Sequence, residues 1–172
     1  MYDATLAGEI SAAAHHSLRE YLPSSFSLTP ASKKSDQAWD SQWRALSTRK
    51  PPNGGWDWPS CRSAQGKDAS SVLAAMWSRN ETELCGLVLL RINSTACRIA
   101  MVEGSPDPHH SVRGMVLPVA LELASMYAQK TGRRDVWVSG PINAMVLQYL
   151  MNAFDFEAVS PKKGFAFCRR EV

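Results

Sequence analysis

The stretch from Met101 to Val119 holds the residues best suited to chemistry. An apolar run ending at Glu103 leads through a polar loop, GSPDPHHSVRG (104–114), directly into a segment of helical spacing. The first amides of a helix have no partner within it. The helix dipole adds partial positive charge at the same end. Such a terminus takes an anion, and a pyrophosphate fits it. Arg113 contributes a full positive charge, and Gly114 lets a ligand come close to the backbone. If the helix begins near Met115, Pro118 lies in its first turn, where the missing N–H costs nothing. The same residues also make an ordinary loop before an ordinary helix, so two readings stand at this point.

Other reactive side chains suggest less. His109 and His110 are adjacent in an extended loop, so they point in different directions. His15 and His16 form a second such pair. Neither supplies the three or four converging ligands that zinc needs, and no metal is expected. The cysteines Cys61, Cys85, Cys97 and Cys168 form no CxxC pair. Three of them lie in apolar runs, where cysteine acts as a small hydrophobe. A reducing, cytoplasmic setting suits them best.

The elements that must position the loop follow from periodicity. Residues 4–22 read as a helix with Asp3 as its cap and Pro23 as its stop. Residues 23–36 read as a Ser- and Pro-rich loop with a weak strand candidate at Phe26 to Leu28. A second helix is expected over 37–48, capped by Asp36, with Trp39, Trp43 and Leu46 on one face. KPPNGG (50–55) is a break, followed by Trp56-Asp57-Trp58-Pro59 and a short helix to Gln65. Strands are expected at 71–78, 84–92 and 96–103, joined by short turns as an antiparallel meander. A helix over about 115–131 comes next, ended by Gly132. Then come a strand at 135–139, a helix at 143–154, and strands at 156–159 and 165–168. A strand, a crossover helix and another strand imply one parallel pair in an otherwise antiparallel sheet.

The β-β-β-α-β-α-β-β order of residues 70–170, with its donor-rich loop, resembles the GNAT superfamily of acyl-CoA-dependent N-acyltransferases. The family's loop motif is R/Q-x-x-G-x-G/A. Here the stretch is Arg113-Gly114-Met115-Val116-Leu117-Pro118, so the Arg matches, while Val116 and Pro118 replace the two small residues. Val116 is expected to crowd a pyrophosphate, and Pro118 removes a donor. A second point of likeness is VWVSGPINAMVLQYLMNAFDFEAV, in which Tyr149 is followed by Ala153-Phe154 where the family has Gly-Phe.

The resemblance implies an α/β fold with a GNAT-like mixed central sheet, flanked by helices. It implies one domain over 1–172, with a variable helical part (1–69) and an acyl-CoA-binding core (70–172). It implies transfer of an acetyl or short acyl group from acetyl-CoA to an amine of a small molecule or protein. Main chain near Met101, Val102 and Gly104 would hold the thioester carbonyl. Amides at Val112, Arg113, Gly114, Met115 and Val116 would hold the pyrophosphate. By carry-over, Tyr149 would protonate the departing thiolate, and Glu103, or a water on it, would take the amine proton. Trp56, Asp57 and Trp58 would line the acceptor groove, and a homodimer is expected by analogy.

Composition sets the frame for these readings. The chain has 172 residues, enough to bury a core without disulfide or metal staples. Its net charge of +3 suits an anionic small molecule but argues against nucleic acid as the main ligand. The start, Met1-Tyr2-Asp3-Ala4, lacks the pattern of a signal peptide, and no apolar run has the ~20 residues of a bilayer span. Three competing readings remain: a degenerate binding module, an enzyme using an acyl-carrier protein, and a toxin that acetylates aminoacyl-tRNA.

Overall fold

The computed structural model describes residues 4–46, 54–68, 70–140, 143–160 and 166–172. Seven strands form one sheet in the order β1-β2-β3-β4-β5-β7-β6. They are β1 (Ser27–Pro30), β2 (Ser71–Ser78), β3 (Glu83–Ile92), β4 (Ala96–Gly104), β5 (Asp135–Ser139), β6 (Glu157–Val159) and β7 (Phe167–Glu171). Among the described strands only β4 and β5 run parallel. The helix α4 (Val116–Lys130) makes the crossover between them. The meander, this crossover and β5 lie within a residue or two of where the sequence places them.

The two faces of the sheet bury different halves of the chain. One face carries Val88, Leu90, Cys97, Ile99, Val136, Val138 and Cys168 beneath α1 (Ala4–Leu18), α4 and α5 (Ala144–Phe154). In α1, Ala7, Ile10 and Ala14 point inward at helical spacing. The other face carries Leu73, Ala75, Trp77, Leu84, Leu87 and Leu89 beneath α2 (Lys33–Ala38) and α3 (Trp58–Gln65). Trp43 and Trp58 seal this second core, each 1% exposed.

The N-terminal part departs from the sequence reading in four places. Helix α1 ends at Leu18, not residue 22, and a turn then carries Leu22 into the core. The cap expected at Asp3 lies outside the described residues. The strand candidate at Phe26 to Leu28 is displaced to β1 (Ser27–Pro30), an edge strand paired to β2 from Ser27↔Trp77 to Pro30↔Ala74. Pro30 is tolerated there because an edge strand has an unpaired side. Helix α2 begins at Lys33 under a Ser32/Ser35 capping box rather than at 37 under Asp36. Asp36 instead pairs with Arg62 at 2.6 Å. A wide π turn over Trp39–Trp43 follows, closed by Arg44 N–H to the Trp39 carbonyl at 3.0 Å. Trp43 stays buried and donates to the Leu84 carbonyl at 2.9 Å, while Leu46 is 59% exposed.

Helix α4 is seated by small residues beneath it. Val116 is 9% exposed and packs where Gly86 of β3 and Gly104 of β4 leave room. A Cβ on Gly86 would lie 2.8 Å from Met76 Sδ and 3.0 Å from Val116 Cγ1. At its far end α4 stops in a Schellman motif. Gly132 takes φ +65°, and Arg133 N–H reaches the Ala128 carbonyl at 2.7 Å.

This packing has a measurable signature. Gly86→Ala overpacks the seat and should cost about 1–3 kcal/mol. Val116→Ala empties it and should cost about 2 kcal/mol. The double variant should cost at least ~0.5 kcal/mol less than the sum, because each change relieves the other. Denaturant melts of the three variants measure this coupling.

Candidate functional site

A gap opens in the sheet between β4 and β5. Their pairing runs from Ala96↔Asp135 to Ile99↔Val138 and goes no farther. At the same level Ala100 is an extra residue in β4, since Leu90 pairs with Ile99 and Leu89 with Met101. Such a bulge bends a strand. From Met101 to Glu103, β4 keeps β3 on one edge and, among the described residues, no strand on the other. Side chains alternate away from this edge. Met101 turns toward α3, with Cys61 Sγ 3.9 Å from its sulfur, and Val102 packs on the opposite core. The open edge therefore presents main chain to an incoming group.

Glu103 stands at this edge, 3% exposed. Gly55 N–H donates to Oε1 and Trp58 Nε1–H to Oε2, both at 2.7 Å. A buried carboxylate is costly unless donors meet it, and these two come from a segment 45 and 48 residues earlier in the chain. Two of the residues proposed from sequence, Trp58 and Glu103, are thus joined directly. Trp58 lies in the core rather than on a groove wall. Trp56 stands against it edge to face, ring centroids 5.9 Å apart.

Asp57 turns outward and caps α3, accepting from Ser60 N–H at 3.2 Å and Ser60 Oγ–H at 2.8 Å. It lines a surface cavity of about 660 Å³ with Asp36, Trp39, Asp40 and Gly55. Gly55 therefore faces the cavity while its N–H holds Glu103. Of the expected groove residues, Asp57 lines this space and Trp58 does not.

The loop before α4 is built from successive turns. His110 N–H bonds the Asp107 carbonyl, Arg113 N–H the His110 carbonyl, and Met115 N–H the Val112 carbonyl. Val112 is buried in the core. Gly114 takes φ +81°, a backbone state that favours glycine. The first rung of α4 is Val119 N–H to the Met115 carbonyl at 2.9 Å. The N–H groups of Val116 and Leu117 precede the ladder. The expected donor set of 112–116 thus shifts: Arg113 and Met115 spend their N–H groups on turns, while Gly114, Val116 and Leu117 stand at the helix entrance. Val116 does not crowd that entrance, because its side chain is directed into the sheet against Gly86 and Gly104. Arg113 Nη1 reaches back to the Pro108 carbonyl at 3.2 Å.

Sequence reasoning missed Gly86 and Ser111. A lone glycine inside the apolar run LCGLVLL marks a close approach. Ser111 ties the loop to the β2–β3 hairpin, hydrogen-bonding the Glu83 carboxylate and lying 2.8 Å from Ser78 Oγ. Burial would raise the Glu83 carboxyl, but the Ser111 hydrogen bonds and nearby Arg79 outweigh it, and Glu83 sits below the ordinary value.

Tyr149 lies on α5, whose N-terminus is capped by Asn143 accepting from Val146 N–H at 2.9 Å. Val146, Leu147, Leu150 and Phe154 pack inward. The Tyr149 ring meets Phe154 edge to face at 5.3 Å and is 44% exposed. His109 is exposed and His110 buried, so the pair diverges. Burial pushes the Cys85 and Cys97 thiols up to about 12. These two stay protonated at neutral pH and are not nucleophiles.

No family model matches the sequence, and no curated protein does. Solved structures do share the fold. The ribosomal-protein-S18-alanine N-acetyltransferase from Escherichia coli superposes with a TM-score of 0.61 at 11% identity, covering 85% of this chain and 93% of that one. An acetyltransferase from Salmonella typhimurium that modifies the N-terminal serine of ribosomal protein L7/L12 gives 0.59 at 10%, covering 87% and 96%. The PaiA N-acetyltransferase from Thermoplasma acidophilum, solved with coenzyme A, gives 0.57 at 10%, covering 86% and 99%. The fold is that of the GNAT acetyltransferases, as the strand order led one to expect.

The Glu83–Ser111 tie makes an acid-side prediction. A carboxyl with a lowered folded value contributes stability that is present above its unfolded value, near 4.5, and lost as pH falls through the folded value. Ser111→Ala should shrink this contribution. Melting temperature against pH should then fall less steeply below pH 4.5 in the variant than in the parent.

Proposed function

We propose that this protein is an N-acetyltransferase that moves an acetyl or short acyl group from acyl-CoA directly to an amine. One observation carries this reading. The open edge of β4 runs from Met101 into a loop and a helix entrance with free donors, and a buried carboxylate stands at the strand's end. An acyl-CoA supplies an activated thioester. Residues of this chain match its parts. The N–H groups of Gly114, Val116 and Leu117, with Arg113, suit the pyrophosphate. The main chain of Met101–Gly104 suits the thioester carbonyl, because fixed donors stabilise developing negative charge.

Glu103 takes the amine proton, directly or through a water. Its hydrogen bonds from Trp58 and Gly55 hold the carboxylate in one orientation. Tyr149 is accessible on α5, and a phenol is close enough in pKa to a thiol to return a proton to the leaving sulfur. With Cys85 and Cys97 held protonated, direct attack is favoured over an acyl-cysteine step through either. The cavity bearing Asp57, next to Gly55, is the natural place for the acceptor. Pro118 supplies no N–H at the helix entrance, and this favours a second reading, a fold retained for binding alone.

Calorimetry separates the two. Saturable acetyl-CoA binding, weakened about tenfold by Arg113→Ala, supports the donor site. In an amine screen, Glu103→Gln should lower kcat by about 100-fold or more, and Tyr149→Phe should lower kcat with acetyl-CoA affinity unchanged. Absence of binding at millimolar acetyl-CoA overturns the reading. Binding without turnover on any amine supports the binding module.

A further inference from the structure

The loop between β4 and α4 is seated on the first residues of β3. At its beginning, Ser105 N–H donates to the Cys85 carbonyl at 2.9 Å. At its end, Val116 lies in the space left by Gly86. Between these anchors, the Ser111 hydroxyl reaches the carboxylate of Glu83, the first residue of β3.

The middle anchor differs in kind from the other two. The Cys85 bond is main chain to main chain, and the Val116 contact is apolar. Glu83 acts through an ionised side chain. It stands directly across the hairpin from Ser78. Ser111 sits on this pair, with its Oγ 2.8 Å from Ser78 Oγ and its N–H directed at the Glu83 carboxylate at 3.5 Å. Burial pushes the Glu83 carboxyl up, but the Ser111 bonds and Arg79 bring it below its ordinary value, so it carries its charge at neutral pH. Arg79 Nε is 3.8 Å away on a side chain 69% exposed, so the ion pair itself adds little.

The hairpin that carries Glu83 is braced from its outer side. Arg79, Asn80 and Glu81 take φ of 50°, 56° and 61°, which residues other than glycine seldom adopt. Arg79 N–H donates to Ser25 Oγ at 3.2 Å, and Gln42 Nε2 to the Thr82 carbonyl at 2.9 Å. Lys34 Nζ meets Glu81 at 2.6 Å. Glu83 therefore projects from a fixed base.

We infer that Glu83 is a positioning residue for the acyl donor. Through Ser111 it fixes the chain at Arg113 and Gly114, two and three residues farther on, which carry part of the donor set. The inference rests on the reading of the α4 entrance as the acyl-CoA site. Glu83 acts on the loop and not on the reacting atoms. A loop ordered in advance spares the ligand the entropy of ordering it. With the tie cut, acyl-CoA must order the loop itself, and affinity falls. A purely structural tie would change stability and leave affinity alone.

Calorimetry of the intact chain with acetyl-CoA tests this. Glu83→Ala should bind about fivefold or more weakly than the parent, and Ser111→Ala by a similar factor. The double variant should lie within about twofold of either single, because both changes cut one link. Glu83→Gln keeps an oxygen to accept from Ser111 and should bind within about twofold of the parent. So should Glu122→Gln, which alters the tie of α4 to Ser17 on its far side. Without ligand, amide exchange over residues 109–114 should rise about tenfold in Glu83→Ala. Parent binding with unchanged affinity in Glu83→Ala and Ser111→Ala overturns this inference and leaves the donor reading standing. So does additive loss in the double variant, or a loss in Glu83→Gln equal to that in Glu83→Ala, which would assign the effect to charge. No acetyl-CoA binding by the parent overturns the donor reading and this inference with it. Thermal melts check that each variant is folded. Ser111 is exposed, so Ser111→Ala keeps the test decisive should Glu83→Ala fail to fold.

Discussion

The hydrogen bonds to the Glu103 carboxylate are the constraint on which the site depends. Taking a carboxylate out of water costs several kcal/mol, recovered only by well-placed donors. The two donors named, Gly55 N–H and the Trp58 indole, belong to the segment that enters α3. Meeting that requirement fixes where α3 sits, and α3 with Trp43 closes the second core over β2 and β3. The same bonds set the floor of the Asp57 cavity, because Gly55 belongs to both. Core, carboxylate orientation and the Asp57 cavity are therefore one arrangement. A change at Trp58 would disturb all three.

The entrance of α4 follows a parallel logic on the other face. Val116 takes the space that Gly86 and Gly104 leave, and this seats the first turn of α4 against the end of β4. The N–H groups of Val116 and Leu117 precede the helical ladder at this end of α4. Replacing a small residue of the loop motif by valine thus need not close the site, provided the side chain is accepted by the sheet. Pro118 is a different matter: at the third helical position its missing N–H subtracts a donor outright.

Much of this was legible in the sequence, and the reasons are physical. The runs SVLAAMWS, LCGLVLLRI and DVWVS fall on β2, β3 and β5 because long apolar runs bounded by turn residues have few other ways to be buried. Gly132 ends α4 because its left-handed state is what a helix stop requires. Strand β1 was barely visible: four residues with a proline form a strand only because β2 offers an edge. The Asp36 cap was misread because Ser32 three residues before Ser35 makes a reciprocal pair, which frees Asp36 to meet Arg62. The partnership of Trp58 with Glu103 had no local signal. It joins residues 45 apart, and nothing in either neighbourhood names the other.

The unequal cover of the sheet has a consequence for its chemistry. Among the described residues, two short helices and a π turn shield the β2–β3 half of their face, while α1, α4 and α5 run across the other side. Strand alternation then forces every second residue of β5 and β7 outward, whatever its type. In a sheet covered on both sides these positions would be apolar, as Val136 and Val138 are. Here they are Asp135, Trp137, Ser139, Phe167, Arg169 and Glu171, with Asp135 buried and the others at least partly exposed. Aromatic and guanidinium groups both tolerate a half-wet surface, since each joins a planar apolar body to a polar edge. An edge-to-edge row of them is stable in isolation only while its like charges stay apart. Arg91 and Arg98 are direct neighbours, and the repulsion between them is offset by the Asp68 carboxylate acting on Arg91 and by Ser139 Oγ, which accepts from the Arg98 guanidinium.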